Sequence, residues 1–79
     1  MSGRSPVRMI EVQSPVAGTV SKLERGAGED VPEFGVLMIL ESMKTEIPIE
    51  APAAGRLHTI HVAEGDPVAE GQILAVIAT

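Results

Sequence analysis

Lys44 is the side chain of this sequence best suited to chemistry, because its amine lies in a short polar stretch between two carboxylates. The stretch reads Glu41-Ser-Met-Lys-Thr-Glu46. An ordinary lysine amine, with a pKa of about 10.4, is a poor nucleophile at neutral pH unless desolvation or a nearby cation activates it. Glu41 and Glu46 supply neither condition. We therefore expect an enzyme that provides the base to acylate Lys44, and we expect Lys44 to catalyse nothing itself.

The other polar candidates form weaker patterns. His58 and His61 are three positions apart in a predicted strand, which puts them on opposite faces and disfavours a metal site. Glu33 and Glu70 lie in matching turns and are interpreted as solvated residues, not as an acid–base pair. Lys22, the only other lysine, is interpreted as a surface charge. The glycines are too scattered to form a phosphate-binding loop.

An internal repeat sets the position of Lys44 in the chain. A shift of 37 positions aligns residues 8–41 with residues 45–78 without a gap. Identical pairs include Ile10 with Ile47, Pro15 with Pro52, Gly18 with Gly55, Gly28 with Gly65, and Leu37 with Leu74. Only Ser42, Met43 and Lys44 lie between the two copies. The single insertion in a duplicated scaffold therefore carries the amine.

Short apolar runs separated by glycine and proline predict strands and no helix. The predicted runs cover residues 8–13, 19–24, 36–41, 45–50, 56–62 and 73–78. A bulge is expected in the second run, where Val20 and Leu23 do not alternate strictly. Pro48 is tolerated only at a sheet edge. The sequence therefore predicts an all-β fold, a sandwich or flattened barrel of eight short strands with a pseudo-two-fold axis, in which neither half folds alone.

The join between the copies is expected to be a tight hairpin. Turns of two residues require positive φ and normally use Asn-Gly, Asp-Gly or Gly-X. This chain has eight glycines, yet it places Ser-Met-Lys-Thr at the join. A local rule that is broken at one point is where function is expected. We therefore interpret Met43 and Lys44 as residues that another protein binds.

The composition restricts the function classes. Seventy-nine residues make one small domain, and the lack of cysteine excludes disulfides and thiolate metal sites. The net charge of −5 disfavours nucleic-acid binding. No apolar run approaches the roughly 18–20 residues of a membrane span. Residues 1–7 lack a signal-peptide pattern and are interpreted as a disordered tail before a domain of residues 8–79, in a cytoplasmic protein.

The segment from Glu41 to Pro52 resembles the attachment site of biotinyl domains, found in biotin carboxyl carrier proteins and small biotin/lipoyl attachment proteins. The family pattern is Glu-(Ala/Ser)-Met-Lys-Met, and the family turn Gly-Asp-x-Val-x-x-Gly-Gln is present as Gly65-Asp-Pro-Val-Ala-Glu-Gly-Gln72. The resemblance covers residues 8–78. It implies a flattened barrel of two four-stranded antiparallel sheets, without the protruding thumb that some carriers have.

This resemblance implies a non-catalytic carrier subunit of a biotin-dependent carboxylase. A biotin protein ligase would attach biotin to Lys44, and the domain would carry carboxybiotin from a biotin carboxylase to a carboxyltransferase. The site residues implied beside the lysine are Glu41, Ser42, Met43 and Thr45. Thr45 stands where the family usually has methionine, which is expected to alter partner contacts and to leave the attachment site unchanged.

Two alternatives stay open. A lipoyl carrier of a 2-oxo acid dehydrogenase or glycine-cleavage complex has the same fold and lysine position. Its sites usually have Asp or Val before the lysine and Ala after it, so Met43 disfavours this alternative. An unmodified, hammerhead-like interaction module generally lacks a lysine at the tip, so Lys44 disfavours that one.

Overall fold

The computed structural model describes residues 7–79, which contain eight β-strands and no α-helix. The strands are β1 Met9–Gln13, β2 Gly18–Leu23, β3 Asp30–Val31, β4 Val36–Ser42, β5 Thr45–Glu50, β6 Gly55–Ile60, β7 Pro67–Val68 and β8 Ile73–Ala78. They form two four-stranded antiparallel sheets with the orders β1-β8-β6-β3 and β5-β4-β2-β7. The predicted fold class is confirmed. The expected tail, except for Val7, lies outside the described residues.

The two copies of the repeat exchange strands in both sheets. β1 pairs with β8, β3 with β6, β2 with β7 and β4 with β5, and each of these pairs joins one copy to the other. Backbone hydrogen bonds recur with the same 37-residue shift. The Gly28 amide donates to the Leu57 carbonyl at 2.7 Å, and the Gly65 amide donates to the Val20 carbonyl at 2.7 Å. A separated half would lose most of its strand partners.

Aliphatic side chains and one methionine fill the space between the sheets. The buried apolar residues are Val12, Val20, Val31, Leu37, Met38, Leu40, Ile49, Ala51, Leu57, Val68, Leu74, Ala75 and Ile77. Full burial of one such larger side chain contributes about 1.5–3 kcal/mol. Since both copies supply residues to this one cluster, the core itself ties the halves together.

The strands differ from the sequence prediction in their ends, since the run predicted for 56–62 stops at Ile60, and in two short elements. The bulge expected in β2 lies between Val20 and Lys22, and Pro48 lies on the edge strand β5, as predicted. The sequence did not locate β3 and β7, and it assigned Pro67 to a turn although Pro67 begins β7. Two residues are too few to show the alternation of side chains from which strands are predicted.

Within residues 7–79, no helix has the length and apolarity that crossing a membrane would require.

Candidate functional site

Met43 and Lys44 form the two-residue turn at the tip of the β4–β5 hairpin, where Ser42 pairs with Thr45. Their φ angles are 52° and 65°, so both residues adopt the left-handed region that a type I′ turn requires. A side chain in this region costs roughly 1–2 kcal/mol per residue, a cost that glycine avoids. The prediction of a tight hairpin at this join is confirmed.

The tip residues project into solvent. Met43 is 95% exposed, and Lys44 and Thr45 are also exposed. The only ion pair within residues 7–79 joins Arg56 to Asp30 at 3.5 Å, so no described carboxylate holds the Lys44 amine. The turn therefore presents an amine and a thioether that make no packing contact with the core.

Two carboxylates lie beside this amine. Glu41 on β4 pairs directly with Glu46 on β5, and both side chains are exposed. Like charges in direct cross-strand pairs are destabilising. Lys44 thus lies in water near negative charge, which is the reverse of the desolvated or cationic surroundings that activate a lysine. This arrangement suits an amine that reacts only when another protein supplies the base.

The base of the hairpin is fixed even though its tip projects. The Ser42 hydroxyl donates a hydrogen bond of 2.9 Å to the carbonyl of Ala17, in the segment before β2. Below it, Leu40 on β4 is completely buried and pairs with Val20 on β2. These contacts at the end of β4 therefore hold the turn in one orientation relative to the rest of the domain.

Gly18 allows β2 to approach the hairpin closely. A Cβ atom at this position would overlap the carbonyl oxygen of Glu41. Gly55, its equivalent in the second copy, approaches the carbonyl of Ala78 in the same way. Ala17 and Gly18 were not predicted to contact the tip, although the Gly18 and Gly55 identity was a signal for such a contact.

The remaining polar candidates lie outside the hairpin. His58 and His61 are both exposed, and the Thr59 hydroxyl lies 3.0 Å from Nε2 of His61. Glu33 and Glu70 are exposed turn residues. No group of three or more His, Cys, Asp or Glu side chains suited to a metal ion occurs in the described part of the chain. Among these candidates, the hairpin tip is therefore the site that the structure supports best.

The sequence of this chain is similar to a known family and to several known proteins. The family model described as "Biotin-requiring enzyme" matches residues 11–77. The biotinylated protein TB7.3 homolog of Mycobacterium leprae is 34% identical over 68 residues, which cover 86% of this chain and 96% of that protein. The biotin carboxyl carrier protein of Streptococcus mutans is 43% identical over 65 residues, covering 82% of this chain and 50% of that protein. The biotin/lipoyl attachment protein of Bacillus subtilis is 40% identical, with coverages of 82% and 89%.

Solved structures with the same fold include parts of much larger enzymes. The urea carboxylase of Kluyveromyces lactis matches with a TM-score of 0.85 and 30% identity, covering 98% of this chain and 7% of that one. The lipoyl domain of the 2-oxoglutarate dehydrogenase complex from Azotobacter vinelandii matches with a TM-score of 0.74 and 28% identity, with coverages of 89% and 95%. The chain thus spans half of the S. mutans relative and a small fraction of the urea carboxylase.

Proposed function

Because this chain belongs to the family of biotin- and lipoyl-attachment domains, we propose that it is a biotin carrier and that Lys44 holds the biotin. The observation that carries the assignment of the residue is the exposed, unpaired amine at the end of a glycine-free turn. The relatives whose names refer to biotin support biotin as the attached group. Residues 8–79 form the carrier domain.

The residues at the tip fit an amide link to biotin. A ligase that presents an activated biotin carboxyl group needs a protruding primary amine, and Lys44 provides one in solvent. The Lys44 nitrogen forms the new amide bond, the activating group leaves, and a base of the ligase takes the proton. The positive charge of the side chain is lost, so the formal net charge changes from −5 to −6.

The protein contributes position to the reaction and no catalytic group. Attached biotin supplies the chemistry of carrying a carboxyl group between two catalytic centres. The hairpin, which is fixed at its base, holds the biotin-bearing side chain in a defined position and raises the effective concentration of biotin at both centres. A biotin protein ligase, a biotin carboxylase and a carboxyltransferase are the partners of this function. The similarity to a urea carboxylase supports the two carboxylase parts, and the cytoplasmic location stays a prediction from sequence.

The residues beside Lys44 have different roles in this function. Met43 and Thr45 flank the amine in solvent and contact the ligase and the carboxylase centres. Ser42 fixes the turn through its hydrogen bond to Ala17. Glu41 adds negative charge to the rim of the site and favours cationic partner surfaces.

Intact-mass measurement tests the assignment. The protein is incubated with a biotin protein ligase, ATP and biotin, and the expected product carries one biotinyl group. Lys44→Ala is expected to gain none. Lys22→Ala, which removes the only other lysine, is the matched control and is expected to be labelled like the wild type. Labelling that survives in Lys44→Ala and is lost in Lys22→Ala would contradict the assignment.

A lipoyl carrier is the second candidate, because a lipoyl domain shares the fold with a TM-score of 0.74. The same mass measurement with a lipoate ligase and lipoate separates the two. Efficient lipoylation of Lys44 without any biotinylation would replace biotin by lipoate in this function. A Lys44 that accepts neither group would favour the unmodified interaction module.

A further inference from the structure

A groove of about 380 Å³ lies between β1 and β5, the edge strands of the two sheets. Its floor includes Val12 and Ile49, which are 6% and 5% exposed, and prolines 15, 48 and 52 contribute to its walls. Its lining residues are related in pairs by the 37-residue shift, so the groove lies on the pseudo-two-fold axis. Along β5, Pro48 is about 13 Å from Lys44, since a strand rises about 3.3 Å per residue. The groove is therefore separate from the tip.

The rim of the groove is acidic, and none of its lining residues among residues 7–79 is cationic. Glu11 and Glu50 line it and are both exposed, as is Gln13. Arg56 and Asp30 form the single ion pair among residues 7–79, so neither rim carboxylate is engaged in one. An apolar floor below unpaired carboxylates is complementary to a side chain with an aliphatic stem and a positive end.

Phe34, the only aromatic residue, does not line this groove, but its backbone is bonded to a residue that lies between two lining residues. Its amide donates a hydrogen bond of 2.8 Å to the carbonyl of Ala51, whose neighbours Glu50 and Pro52 are lining residues. Phe34 has φ 68° and is 65% exposed. A bulky residue with positive φ is an outlier, and a mostly exposed ring gains little from burial.

The second copy shows which residue the fold itself favours at this position. The equivalent of Phe34 is Gly71, which has φ 84° and donates to the Ser14 carbonyl at 2.7 Å in the same pattern. Glycine adopts this conformation without a steric penalty. The phenylalanine in the first copy is therefore unfavourable for the backbone and for solvation, and a contact with another molecule is the property that it adds.

We propose that the groove and Phe34 form a docking site for an extended segment of a partner protein that carries an arginine. The arginine stem lies on the apolar floor, and its guanidinium donates hydrogen bonds to Glu11 and Glu50. The planar guanidinium also stacks on the ring of Phe34, which a lysine ammonium does less well. Docking here leaves the tip free, so a partner holds the body of the carrier while Lys44 reaches a catalytic centre.

The dimensions of the groove favour a side chain over a larger element. Its volume is near the lower end of the range for small-ligand sites, roughly 300–1,000 Å³. Pro48 has no backbone N–H, which disfavours pairing of an added strand along β5. An extended segment that inserts one arginine satisfies both restrictions.

NMR titration of the full, biotin-free chain with the peptide acetyl-Ala-Arg-Ala-amide tests this site. Saturable amide shifts are expected at Gln13, Phe34, Glu50 and Ala51, with none at Lys44. The same peptide with glutamine in place of arginine is expected to give no saturable shift. The lysine peptide is expected to bind at least about three-fold more weakly than the arginine peptide, because the ammonium group cannot stack as a planar group.

Variants of the protein make the test specific. Phe34→Gly and Glu50→Gln are each expected to weaken binding of the arginine peptide by about five-fold or more. Glu24→Gln, which removes an exposed charge that does not line the groove, is the matched control and should bind like the wild type. If Phe34→Gly does not fold, Phe34→Leu keeps the apolar bulk without the ring, and it is expected to lose the preference for arginine over lysine.

Several results would overturn the proposal. Shifts distributed over acidic residues throughout the surface would indicate unspecific charge attraction. Equal binding of the arginine and glutamine peptides would remove the role of the carboxylates. Groove shifts that depend on protein concentration without peptide would identify a second copy as the occupant. Lys44→Ala is expected to bind the peptide normally, so a failure of docking is distinguishable from a failure of biotin attachment.

Discussion

Replacement of Lys44 by glycine is predicted to make the protein more stable while it removes the proposed attachment site. Lys44 has φ 65°, a conformation that costs a side chain roughly 1–2 kcal/mol and costs glycine almost nothing. The lysine side chain is exposed and forms no ion pair with the described residues, so its removal loses no contact of that kind. The difference in stability between Lys44→Gly and the wild type therefore depends on the backbone conformation at this position.

The expected magnitude follows from two opposing effects. Relief of the left-handed strain contributes about 1–2 kcal/mol, and the greater freedom of glycine in the unfolded chain offsets about 0.5–1 kcal/mol of it. The net gain in the free energy of unfolding is about 0.5–1 kcal/mol. For a domain of this size, this gain corresponds to a rise in Tm of about 2–8 °C. Lys44→Ala keeps a Cβ at the same φ, so its stability should change by less than about 0.5 kcal/mol.

Thermal and urea unfolding of the wild type, Lys44→Ala and Lys44→Gly measure these differences. Both variants should take up no biotin, and only Lys44→Gly should unfold at a higher temperature than the wild type. Equal stability of the two variants would refute the attribution of strain to the turn. A fall of several degrees in Lys44→Ala would show that the lysine side chain is itself a structural contact.

Three further predictions concern residues around the tip and the groove. Thr45→Met should increase carboxyl transfer with one shared carboxylase several-fold, because part of the roughly 1.5–3 kcal/mol of a buried thioether side chain is gained, while the biotin bound at saturation, measured by mass, stays the same. A change in that endpoint would contradict the prediction. Gly18→Ala should destabilise by about 1–3 kcal/mol in urea unfolding, because its Cβ overlaps the carbonyl of Glu41, and it should slow biotin attachment. Gly55→Ala should destabilise similarly with normal attachment, so equal slowing in both variants would deny Gly18 a special role at the tip. Phe34→Gly should raise the free energy of unfolding by about 0.5–1 kcal/mol, and a loss of stability would show that the ring packs on the protein.

The internal repeat is the reason that much of the fold was predictable from sequence. Two copies that align without a gap and share Gly18 with Gly55, Gly28 with Gly65 and Pro15 with Pro52 predict two equivalent halves, and the alternation of apolar residues locates the longer strands. Pro48 also predicted its own place at an edge, because proline cannot donate within a sheet. The tip followed from the combination of a tight join and an unusual turn sequence, and its positive φ angles agree with that argument.

The parts of the candidate site and of the groove that were missed depend on contacts between distant segments. The bond from Ser42 to Ala17 joins residues 25 positions apart, and no local pattern encodes it. The groove requires β1 and β5, which belong to different sheets and become neighbours only when the sandwich closes. Phe34 stands where the second copy has Gly71, but the left-handed backbone that gives this exchange its meaning is visible only in the structure.

The exchange of strands between the copies has a consequence for the order of folding. β8 lies between β1 and β6, so Met9–Gln13 has no strand partner in its sheet until Ile73–Ala78 has been synthesised. The hairpin that carries Lys44 is local and can form earlier, but its neighbour β2 also pairs with the later strand β7. Pairings between distant segments slow folding and make it cooperative. During synthesis, the tip would therefore gain its rigid support only after the last strand has closed its sheet.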